Sequence, residues 1–223
     1  MNAEENKKLE QIRADFSHEH SVFKSALDSY SSEFQSTQPN RIKAIELLWE
    51  NILLIRRLGG IPLGFYGLFY ENEFNTENVH NKEIMYGMLR LIDLPDISEK
   101  IISYIKEVEK CRPFLGEYLW TLFKTYANLI ARTAFLLTED LKTNDIKCWH
   151  KNEYTRSIIE EVFSDDEKKY IYSLKINSFK AATETLERKI LYEMATVVSG
   201  ELAANNNFKK AVKIQQLLKD KLP

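Results

Sequence analysis

The sequence predicts an all-α protein: a helical bundle of about seven or eight helices, opened by a long, heptad-patterned first helix. Three observations predict it. Apolar residues recur at spacings of three and four along most of the chain. No stretch alternates apolar and polar residues long enough to make a convincing strand. Only seven glycines and five prolines occur in 223 residues, and several of them punctuate the periodic segments.

Residues 1–38 hold neither glycine nor proline, and Leu9, Ile12, Phe16, Phe23, Ala26, Tyr30 and Phe34 form a coiled-coil-like seam interrupted once, at Glu19 beside His20. Pro39 is expected to end this helix and Asn40 to cap the next. That second helix carries Ile42, Ile45, Leu48, Ile52 and Ile55 on one side, and it is expected to stop at Gly59–Gly60 through a left-handed glycine cap. A third helix is expected over 77–94, ending at Pro95. Asp96 with Glu99 reads as the capping-box start of a fourth, with Ile97, Ile101, Ile105 and Val108 on its apolar side.

Pro113 suits the first turn of a fifth helix, about 113–142, which is apolar around most of its circumference and so belongs at the centre of a bundle. Its thin polar line is Glu117, Thr121, Lys124, Asn128, Arg132 and Glu139. The stretch KTNDIKCWHKNE reads as a loop. Ser164 with Glu167 is a second capping box, opening a segment that runs to Gly200 or breaks near Asn177. A final helix after Asn205–Asn207 carries Phe208, Ala211, Val212, Leu217 and Leu218. The whole, residues 1–223, is expected to be one helical domain, with a weak boundary near 59–76.

Composition narrows the function. A net charge of −2 gives no global field for nucleic acid or an anionic membrane. No apolar run approaches the roughly 18 residues that a membrane span needs. Two cysteines, Cys111 and Cys148, are too few for a disulfide framework. With a polar, acidic N-terminus, the expected compartment is the cytoplasm. Charge is nevertheless uneven: residues 1–34 carry seven acids against four bases, and residues 205–223 carry five lysines against Asp220.

Gly59, Gly60, Gly64 and Gly67 crowd one short stretch, which raises the possibility of a phosphate-cradling loop. Such a loop follows a strand and carries a cation. Here the glycines follow a helix, interleave with Phe65, Tyr66 and Phe69, and see no basic residue between Arg57 and Lys82. The expectation is a bent, buried apolar segment, with Phe65, Tyr66 and Phe69 able to wall a pocket for an apolar ligand or a partner helix. A second binding site is expected on the polar line of the fifth helix. There Lys124, Asn128 and Arg132, bordered by Tyr126, could take an acidic ligand or a partner's carboxylates.

For metals, His18 and His20 are two apart on a helix and point about 200° from one another. Cys148 and His150 flank Trp149 and could give two ligands, but no second pair with zinc-like spacing is visible. Neither a metal nor a cofactor is expected.

Arg13 with His18 fits Arg-x4-His, and Arg13 with His20 fits Arg-x6-His. This is similar to the short motif of the helical HEPN ribonucleases. The resemblance implies a metal-independent ribonuclease in which Arg13 steadies the scissile phosphate and His18 or His20 moves the proton of the 2′-hydroxyl. The preferred reading of these residues is plainer, as solvated positions on an amphipathic helix. The chain is accordingly expected to be a non-enzymatic protein–protein interaction module in a larger cytoplasmic assembly. Its partner would be another protein or a second copy, with no membrane, and nucleic acid is not an expected partner.

Overall fold

The computed structural model describes residues 3–74, 79–143 and 145–200, with residue 213. Among these residues there are nine α-helices, two short 3-10 turns and no strand, so the all-α bundle is the fold. The final helix expected after Asn207 lies outside the described residues. Two compact units are formed, Met1–Ile42 with Ala195–Pro223, and Lys43–Met194.

Helix α1 runs Ala3–Leu58, straight through Pro39. The expected stop at Pro39 is therefore wrong, and Asn40 caps nothing. Proline removes one backbone donor and costs a helix bond to the residue four back. Pro39 and Gln35 are both exposed, however, so water can replace the lost bond, and the apolar face beyond drives the helix onward. The side chains of the heptad seam lie outside the described residues. In the first unit, the Gln38 Nε2 donates to the Val198 carbonyl at 2.9 Å.

The second unit is built around one helix. Ala44, Leu48, Ile52 and Ile55 of α1 are fully buried in it. Helix α2, Gly60–Leu68, follows at once. The joint is not a left-handed cap: Gly59 has φ −74° and ψ 2°, a negative φ with ψ just outside the helical range. Glycine is required there for space, because a Cβ on Gly59 would lie 2.8 Å from Cδ1 of the buried Ile130. A 3-10 turn, Glu71–Glu73, leads to α3, Val79–Leu89, which stops before the expected 94.

Helix α4 spans Leu94–Glu109, and its cap is Asp93, not Asp96: the Asp93 carboxylate accepts from the Asp96 N–H at 3.2 Å. Pro95 thus opens a helix instead of closing one, as its missing donor permits in a first turn. The expected fifth helix is two, α5, Arg112–Leu115, and α6, Glu117–Thr143, parted by Gly116 at φ 81°. Twelve side chains of α6 are buried, and α2, α3, α4, α5 and α7 all pack against it. Beyond it come a 3-10 turn, Trp149–Lys151, then α7, Glu153–Glu160, and α8, Asp165–Ser173. Ser164 and Glu167 make the expected capping box. The chain breaks at Asn177, φ 61°, before α9, Ser178–Ser199. Among the described residues no helix is long and apolar enough to cross a membrane.

Candidate functional site

Two backbone hydrogen bonds draw distant segments together. The Asn177 N–H donates to the Tyr66 carbonyl at 3.0 Å, and the Glu71 N–H to the Lys175 carbonyl at 3.2 Å. The α2 exit and the α8–α9 joint thus meet, and the loop after α6 closes over them. The Tyr66 hydroxyl donates to the Lys147 carbonyl at 3.0 Å, and the Trp149 indole N–H to the Ser178 hydroxyl at 2.9 Å. Trp149 is wholly buried against Phe179, centroids 5.4 Å apart. A short loop rich in polar residues is pinned at both ends by these contacts.

Between the segments lies a cleft of about 1000 Å³, lined by Tyr70, Glu71, Phe74, Cys148, Lys151 and Lys175 among others. Phe65, Tyr66 and Phe69 do not line it. They are buried behind it, with Phe65 stacked on Phe74 at 5.5 Å, so the apolar wall that ligands would meet is Tyr70 and Phe74, one turn further on.

On the cleft's rim the ligating atoms of Glu71, Cys148 and His150 lie within 4.8 Å of one another. Burial pushes the Cys148 thiol up to about 11, against the opposing pull of the His150 backbone amide and the Ser178 hydroxyl. Burial likewise holds the His150 imidazole below its ordinary value. The Nε2 of His150 is buried and has no hydrogen-bond partner among the described residues. Its ring stacks on Tyr172 at 5.0 Å. Lys151 pairs with the Glu71 carboxylate. Glu71 was missed by the sequence reading, since only Cys148 and His150 are close in the chain and no spacing rule points from them to residue 71.

The polar line of α6 is its outer face: Lys124 and Asn128 are exposed and Arg132 half-buried, one turn apart in succession. Tyr126 does not border them. It projects from the opposite side of α6 and is fully buried. The Arg132 guanidinium sits between two rings, 4.9 Å from the Phe135 centroid and 5.2 Å from that of Tyr154. Its Nε is buried and finds no acceptor among the described residues. Arg13, His18 and His20 lie on α1, and their side chains are outside the described residues. No protein-family model matches the chain, and no curated protein or solved structure matches it.

Proposed function

We propose that the chain is a non-enzymatic helical interaction module of a cytoplasmic assembly, taking an acidic segment of a partner protein against the outer face of α6 and α7. The observation that carries this reading is Arg132. A buried guanidinium N–H without an acceptor costs about 1–3 kcal/mol, and an incoming carboxylate would restore the bond. Phe135 and Tyr154 bring their rings within cation–π distance of the guanidinium, and a carboxylate there would add a charge-assisted bond. Tyr154 is 71% exposed, so its ring offers contact area at the same place. Aromatic and arginine side chains together are the composition of binding hot spots. Asn128 and Lys124 extend the polar line over two further turns.

A second copy of the chain would bring a suitable segment, since residues 1–34 are acidic by seven to four. A photo-crosslinking residue placed at position 128 tests the reading in the source cell. A discrete adduct is expected, weakened by Arg132→Ala and by salt, and an adduct of twice the chain's mass identifies a second copy. No discrete adduct, or one indifferent to Arg132→Ala in a variant with unchanged circular dichroism, overturns it.

A further inference from the structure

We propose that Glu71, Cys148 and His150 form a zinc site with three protein ligands, its fourth position left to water from the cleft. The site is independent of the α6–α7 face.

The donor set is the first argument. One sulfur, one imidazole nitrogen and one carboxylate oxygen suit a borderline-soft ion without geometric preference of its own, which is zinc. Magnesium and calcium prefer oxygen alone, and monovalent copper prefers sulfur. A thiolate and a carboxylate would also neutralise the dication, which matters at a rim where Lys151 already stands.

Distance is the second. Donors bound to one zinc at about 2.0–2.3 Å stand about 3.3–3.8 Å apart at tetrahedral angles. The three ligating atoms lie within 4.8 Å of one another, so side-chain rotations of about 1 Å gather them. No backbone need move. Trp149, between two of the ligands, is anchored by Ser178 at 2.9 Å, and Tyr172 steadies the His150 ring. Glu71 is fixed through its own N–H on the Lys175 carbonyl, and its second carboxylate oxygen can keep Lys151 while the first binds metal.

The third argument is what the site lacks without metal. His150 Nε2 is buried with no partner among the described residues, an unsatisfied polar atom on the same imidazole that faces Glu71 and Cys148. A bound dication would deprotonate the ligating Cys148 thiol.

The test uses the full chain, free of tag and stripped of metal, with zinc and cobalt(II) as probes. One zinc per chain is expected, with a rise in melting temperature. Cobalt(II) should give the visible bands of a tetrahedral site and a sulfur-to-metal charge-transfer band. Cys148→Ser and His150→Gln should weaken zinc binding by more than about 100-fold, and Glu71→Gln, at a half-exposed position, by about 10–100-fold. Cys111→Ser should leave it unchanged. A cobalt spectrum without the sulfur band overturns the proposal, and that reading needs no variant to fold. Zinc uptake equal in Cys148→Ser and the parent also overturns it, since the ion would then sit on other histidines or carboxylates.

Discussion

The Tyr126 hydroxyl, on the buried side of α6, donates to Oε1 of Glu187 on α9 at 2.8 Å. Arg56 of α1 grips the same carboxylate with both ends of its guanidinium fork, its Nε on Oε1 at 2.9 Å. Three helices are tied by one acid whose side chain is only 13% exposed. Tyr126→Phe keeps the ring and removes one hydrogen bond to a charged group. Chemical denaturation should show a loss of about 1.5–3 kcal/mol. An unchanged midpoint would mean that Arg56 alone suffices.

Gly59 and Gly60 are neighbours with opposite requirements. A methyl on Gly59 meets Cδ1 and Cγ2 of Ile130 at 2.8 and 3.1 Å, and Ile130 is fully buried. Gly59→Ala should destabilise by about 1–3 kcal/mol, and Ile130→Val in the same chain should recover part of it. Gly60, with nothing within 4 Å of such a methyl, lies in a helix start, so Gly60→Ala should stabilise by about 0.5–1 kcal/mol. Equal melting temperatures for the two variants would remove the steric account of the joint.

Glu193 is 8% exposed, in a groove shared with Tyr118, Glu167, Arg188, Lys189 and Tyr192. Burial raises its carboxyl above the ordinary range. The folded state therefore holds this proton more tightly than the unfolded one. Its contribution to stability is present below the ordinary glutamate range and is lost as pH rises through the raised value. Glu193→Gln should raise the melting temperature at neutral pH and have little effect in acid. A variant less stable than the parent at neutral pH would show the charge to be stabilising.

The ribonuclease reading yields a negative expectation. Arg13, His18 and His20 read as solvated positions on an amphipathic helix, so the purified chain should not cleave single-stranded RNA, and His18→Ala and His20→Ala should each match the parent. Metal-independent cleavage lost in either variant would place the active residues on α1 after all.

Local chemistry explains which elements were legible. Of the two courses the sequence left open after Ser164, an unbroken run to Gly200 or a break near Asn177, the chain takes the break. The Ser164–Glu167 box, decided within a few residues, stands where the sequence put it. So does the centre of the bundle, because α6 is apolar on every side but one. Pro39 misled because proline's penalty depends on exposure, which no local pattern reveals. At 93–96 two acids compete for the cap, and Pro95 turned the choice toward Asp93. Gly59 was read through its conformational freedom, whereas its constraint is Ile130, far along the chain. The three would-be ligands divide in the same way: Cys148 and His150 are visible as neighbours, and Glu71 arrives only through tertiary folding.

The hydrogen bonds from Asn177 to Tyr66 and from Glu71 to Lys175 carry a kinetic consequence. They close a loop containing α3 to α8, and its closure entropy must be met before any contact across the cleft repays it. Packing of α4, α5 and α6 along the chain needs no such closure. The cleft should therefore assemble after the transition state. Asn177 holds a left-handed backbone at this junction, so Asn177→Ala strains the last step. In stopped-flow measurements it should quicken unfolding and leave the folding rate nearly untouched. Slowed folding would instead place the cleft in the nucleus.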